Sequence, residues 1–212
     1  CKEHPCGTGP YELTSWDYDV SKTFTKRDDY WGGDVKLDSV EYIIYKDALV
    51  SSAALQSGEI DAILALNAEL AAYGYDIKTC SVKSHSYLLC FNSLNKTGDD
   101  PTGDLKVRQA ICHAIDADAL VQAVWGDYGD VRNQFGVGTH YYSEDVKGYG
   151  YNPEKAKELL AEAGYPDGFE ISLKTEETSA LKNAATIIQS YLAEVGIKVN
   201  LSILSGADAN TA

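Results

Sequence analysis

Apolar and polar positions change their period along this chain, and each change marks a new element. Ser39 to Tyr45 mixes β-branched and aromatic residues in a run of strand length. Ala48 to Gln56 holds good helix formers, with Ala53, Ala54 and Leu55 as an apolar patch. Gly58 then predicts the helix stop, because glycine takes left-handed backbone without strain. Ile60 to Leu66 is a second short apolar run, so strand, helix, strand is predicted here. Upstream, Pro10 to Leu13 opens a strand, and Thr14 to Lys26 predicts a hairpin turning near Asp17 to Asp19. Lys26 to Asp34 is a loop centred on Tyr30 and Trp31. Downstream, Asn67 caps a short helix to Tyr73, and Ile77 to Val82 and Ser86 to Asn92 are further predicted strands.

The second half is patterned for helices and strands in alternation. Leu105 to Ala114 carries Ala110, Ile111 and Ala114 on one helical face. Asp116 caps a second helix, Ala117 to Trp125. Gly126 to Gly150 is long and glycine-rich, a length usual for functional or covering loops. Asn152-Pro153 starts a helix to Ala163, since proline at the first helical position loses no hydrogen bond. Phe169 to Lys174 alternates as a strand does. Ser179 to Val195 is amphipathic and ends at Gly196, and Ile197 to Leu204 is a final strand. The class is therefore α/β, with mixed sheets covered by helices.

Charge narrows the partners. The 212 residues carry a formal net charge of −14, which argues against nucleic acid or an anionic membrane surface as a direct partner. No apolar run reaches the ~18 residues that span a bilayer. Fifteen Tyr against four Phe favour half-wet surfaces, with sheet packing as the plain alternative. The five cysteines leave at least one unpaired. Cys112 falls in an apolar helical pattern and is read as a small buried hydrophobe. Cys80 and Cys90 lie on neighbouring predicted strands, compatible with a bridge that sequence cannot establish.

No catalytic constellation is legible, and no enzyme activity is expected. The four histidines, His4, His85, His113 and His140, are scattered without the spacing of a helical zinc pair. Cys1, His4 and Cys6 are close in sequence but lack a fourth ligand, and a frayed terminus is the preferred reading. Asp99, Asp100 and Asp104 make an acidic turn without calcium-loop spacing. Neither metal nor cofactor is expected.

Several blocks together carry a resemblance. They are Gly7-Thr8-Gly9-Pro10-Tyr11, Asp29-Tyr30-Trp31-Gly32-Gly33, Leu55-Gln56-Ser57-Gly58-Glu59-Ile60-Asp61, Val107-Arg108-Gln109-Ala110-Ile111, Tyr151 to Tyr165 and Ile188 to Val199. In this order the chain resembles the extracytoplasmic solute-binding proteins of peptide and nickel ABC importers. The resemblance implies a fragment of a larger, periplasmic-binding-protein-like (class II) α/β fold with two lobes around a cleft. Residues 1–92 would then belong to lobe I and residues 93–212 would begin lobe II. It implies a peptide or small-molecule ligand, permease subunits as partners, and membrane attachment only through them or through an N-terminal lipid anchor outside this fragment. It also implies that the segments holding Leu66 and Asn67, and Ser86, Leu88 and Cys90, line the ligand site. Strand alternation puts Ser86, Leu88 and Cys90 on one face and Tyr87 and Leu89 on the other. Peptide-binding members often carry Tyr and acidic side chains at the cleft-facing positions. Leu88 and Cys90 depart from that and point to a more apolar contact, unless this face is simply core. A solute-sensing domain of a regulator and a degenerate docking domain are the alternatives.

Overall fold

The computed structural model describes residues 5, 7–64, 70, 73–79, 86–94, 100–134 and 140–205. The chain forms two compact units, Cys1–Leu70 and Ala71–Ala212. The expected lobe boundary at 92/93 falls inside the second unit.

The first unit is built on an antiparallel meander of β1 (Tyr11–Asp17), β2 (Ser21–Lys26) and β3 (Ser39–Ile43), in that order. The hairpin turns where the sequence places it, with Asp19 at φ 61 and the Val20 N–H donating to the Asp17 carbonyl at 3.2 Å. A short polar side chain makes that left-handed position tolerable. The register shifts between Leu13 and Ser15. Such a bulge re-aims the side chains beyond it. Trp16 therefore pairs with Lys22, whose ammonium lies 5.0 Å from the indole centroid.

Helix α1 (Ala48–Ser57) follows β3. Asp47 Oδ1 accepts from the N–H groups of Leu49 and Val50 at 2.8 and 3.1 Å, and Gly58 closes the helix at φ 76. The cap satisfies donors that the first turn leaves without partners. Asp47→Ala should therefore lower stability by about 1 kcal/mol, read as a lower urea midpoint at unchanged slope. The strand predicted from Ile60 does not form over residues 60–64, and Leu66 lies outside the described residues. Apolar character alone does not make a strand. A ladder partner is needed, and among the described residues none pairs with this run.

From residue 101 onward the second unit follows its sequence pattern closely, whereas the strand predicted over 77–82 does not form at its described residues 77–79. A single 3₁₀ turn, Pro101–Gly103, leads into α2 (Leu105–Ala114) and α3 (Ala117–Trp125). After the long loop come α4 (Pro153–Glu162), β4 (Phe169–Glu176), α5 (Ser179–Glu194) and β5 (Ile197–Leu204). β4 and β5 pair in parallel, from Phe169 opposite Ile197 to Glu176 opposite Leu204, with α5 as the crossover. Asp104, Asp116, Asn152 and Thr178 each cap the helix that follows with a side-chain oxygen. Val107, Ala110, Ile111 and Ala114 of α2 meet Ala156, Leu159 and Leu160 of α4, joined by Leu192, Val195, Ile197 and Val199. In the loop, the Gln134 amide brackets Ser143, donating to its carbonyl at 2.6 Å and accepting from its N–H at 3.1 Å.

Candidate functional site

The segment 86–92 forms no strand, although it was predicted as one. Burial alternates only from Leu88 to Asn92. Leu89 and Phe91 are half-buried and pack on the core formed by α2, α4 and β5. Ser86, Leu88 and Cys90 are exposed, Leu88 at 58%. Tyr87, expected to share a face with Leu89, is exposed as well, so burial separates Leu89 and Phe91 from their neighbours and Ser86, Leu88 and Cys90 are not core residues. Tyr87 stacks on Trp125, with ring centroids 5.4 Å apart and planes 16° from parallel. This contact joins the segment to the end of α3.

Below the segment, the turn at 100–104 is tied on several sides. Asp100 Oδ1 accepts from Thr102 N and Oγ1 at 2.9 and 2.7 Å, and its Oδ2 accepts from Asn92 Nδ2 at 3.0 Å. Arg108 Nη1 donates to the carbonyls of Thr102 and Gly103, at 2.8 Å each. Partial burial pushes the Asp100 carboxyl up, but the hydrogen bonds from Thr102 and Asn92 outweigh it and hold the group below the usual carboxylate range. A depressed folded pKa contributes stability above the unfolded value and loses it as pH falls through the folded one. Amide exchange of Thr102 and Gly103 should therefore accelerate as pH falls below the ordinary carboxylate range, beyond the intrinsic pH dependence. Asp100→Ala should bring that opening to neutral pH at a cost of about 1 kcal/mol. Unchanged protection in the variant would rule out the carboxylate as the tie.

The other candidates sort plainly. Leu66, Asn67, Cys80, His4 and His85 lie outside the described residues, as do Cys1, Cys6 and Asp99. Cys90 and Cys112 are free thiols, so the bridge weighed for Cys90 is not formed. Cys112 is half-buried, and burial pushes its thiol up. His113 is structural: its Nδ1 sits 2.8 Å from the Gly150 carbonyl and its ring meets Tyr149 edge-on at 5.3 Å. Among the described residues no three His, Cys, Asp or Glu side chains gather as a metal site. The acidic turn is spent on capping, through Asp100 and Asp104. An open groove of about 720 Å³, lined by Asp118, Val121, Gln122, Asp130 and Arg132 among others, was not legible in the sequence. Its guanidinium is already paired with Asp130 at 2.9 Å. Also unforeseen were the Trp125 stack and the Arg108 brace, both contacts that local pattern does not encode.

Among the described residues no helix is long and apolar enough to cross a membrane. Heme-binding protein A of Haemophilus influenzae is 33% identical over 96% of this chain and 38% of its own length. Glutathione-binding protein GsiB of Salmonella paratyphi A is 33% identical over 95% of this chain and 40% of its own. The solved structure of the periplasmic binding protein DppA from Helicobacter pylori, in complex with the peptide STSA, superimposes with a TM-score of 0.72 at 28% identity, over 98% of this chain and 40% of that one. The chain thus spans about 40% of the length of the relatives it matches. Its α/β fold is part of the periplasmic-binding-protein fold. The model for "Bacterial extracellular solute-binding proteins, family 5 Middle" matches residues 2–212, and the chain belongs to that family.

Proposed function

We propose that this chain is part of the solute-binding subunit of an ABC importer. The whole subunit captures a peptide or related small solute in its cleft, outside the cytoplasm, and delivers it to the membrane permease without chemical change. Family membership over residues 2–212 carries the reading, and the names of the relatives, spanning haem, glutathione and a peptide, support capture rather than turnover. Such a subunit works by hinge closure of two lobes, and the closed form docks on the permease. In this proposal the lobe division lies at 92/93, and Ser86, Leu88 and Cys90, with Leu66 and Asn67, face the solute. Attachment to the membrane goes through the permease or a lipid anchor. One fold serves many solutes, so the solute must be found by experiment. Native mass spectrometry of the gently purified full-length protein should reveal a co-purified peptide or small solute. A protein that is empty, and remains empty after challenge with peptide and metal-chelate pools, would overturn the importer reading.

A further inference from the structure

The exposed row formed by Ser86, Leu88 and Cys90 carries no ionised group. It offers a hydroxyl, a branched alkyl chain and a thiol, and Leu88 is its largest exposed element. Next along the row, Asn92 spends its amide on Asp100. Asp100 is the carboxylate tied to this segment, and both of its oxygens already accept hydrogen bonds from Thr102 and Asn92. It is therefore committed to the turn and not held open for an ammonium. Among the described residues of this segment, a cation laid against Leu88 and Cys90 would lose hydration and find no carboxylate left open to it. An uncharged side chain would instead bury its own apolar surface together with that of Leu88. The backbone behind the row is held by Leu89 and Phe91 in the core and by Tyr87 on Trp125, so the row is presented on a fixed support. Resting on the importer reading above, the geometry points to Leu88 and Cys90 as a specificity wall that accepts an uncharged, largely apolar part of the solute and rejects a cationic one.

The test uses the full-length protein, freed of co-purified solute by unfolding and refolding, and a thiol-reactive reagent read at Cys90 by peptide mapping. The probes are Ala-Phe-Ala and Ala-Lys-Ala, which differ only in the middle side chain. Ala-Phe-Ala should shield Cys90 at a concentration lower by about tenfold or more, and Leu88→Glu should shrink that gap to about threefold or less. Equal shielding, better shielding by Ala-Lys-Ala, or a gap unmoved by Leu88→Glu overturns the assignment. So does a Cys90 that stays unreactive in the freed protein, since the wall would then be covered. Peptide binding seen by native mass spectrometry without shielding of Cys90 overturns this inference and leaves the importer reading standing. If the protein keeps a co-purified solute but binds neither peptide, the reagent is read before and after that solute is removed. The solute should then shield Cys90, and Leu88→Glu should release it about tenfold faster. Unchanged or tighter retention, or a reactive Cys90 in the loaded protein, overturns the inference alone. No co-purified solute, together with no binding of either probe or of the peptide and metal-chelate pools, removes both readings.

Discussion

Gly168→Ala should lower the stability of the second unit by about 2–5 kcal/mol, the sum of a left-handed backbone penalty and a steric one. Gly168 has φ 77, a region that costs a residue with a Cβ about 1–2 kcal/mol. The added methyl would also land on the Gly196 carbonyl oxygen, which belongs to backbone and not to a side chain that can swing away. Gly168 and Gly196 immediately precede β4 and β5, whose parallel pairing begins at Phe169 opposite Ile197. Making room for the methyl means parting the strands at their first pair, and displacements forced into packed structure cost about 1–3 kcal/mol more. Gly164→Ala separates the two terms. Gly164 has φ 91, but nothing lies within 4 Å of its would-be Cβ. It should therefore show only the backbone penalty. Urea unfolding of both variants, compared at equal slope, measures the difference. Equal midpoints for the two would mean that close approach of the strand starts contributes nothing.

The glycines illustrate what the sequence could and could not disclose. Gly58 and Gly196 were legible as stops because a left-handed residue after a helical run has a local signature. The same is true of Asp116 and Asn152-Pro153, whose capping role depends on the next three residues only. The helices of the second unit, and the strand from Ile197, accordingly lie where the pattern places them. Gly168 was not singled out, because its requirement comes from Gly196, far along the chain. Strands failed for a related reason. Residues 60–64 and 86–92 have apolar or alternating character, yet a strand exists only with a partner, and pairing is non-local. At the candidate site, alternation predicted one face for Ser86, Leu88 and Cys90 and the other for Tyr87 and Leu89, yet Tyr87 is exposed while Leu89 is half-buried. Alternation also could not decide whether the first face was core. The decision came from Leu89 and Phe91, which fill the space beside α2 and α4 and leave the other side exposed. Trp125 was read only as the end of a helix and Arg108 as part of a sequence block, and their contacts to Tyr87 and to the turn are tertiary.

Leu160→Ala should cost about 2–5 kcal/mol, the range for a leucine truncated in a tight core. Leu160 is 1% exposed and lies among Val107, Ile111 and Ile197, all within 1% of fully buried. Removing three carbons loses their transfer free energy and leaves a cavity that two packed helices and a strand close only in part. Since domains have about 5–15 kcal/mol in total, the loss is a large share. Leu105→Ala is the matched control on α2: that leucine is 58% exposed, so its truncation should change stability by only about 0.5 kcal/mol. Leu160→Met, which keeps most of the volume, should cost less than about 1.5 kcal/mol. The consequence reaches the candidate site through shared packing. Leu89 and Phe91 rest on the same cluster, so a cavity beside it loosens the support of Ser86, Leu88 and Cys90. Amide exchange over residues 86–92 should therefore rise in Leu160→Ala before global unfolding, and stay near wild type in Leu105→Ala. If exchange in 86–92 follows global stability alone, the segment is not held by this core, and the exposed wall must draw its rigidity from the Tyr87–Trp125 stack and the Asn92–Asp100 bond.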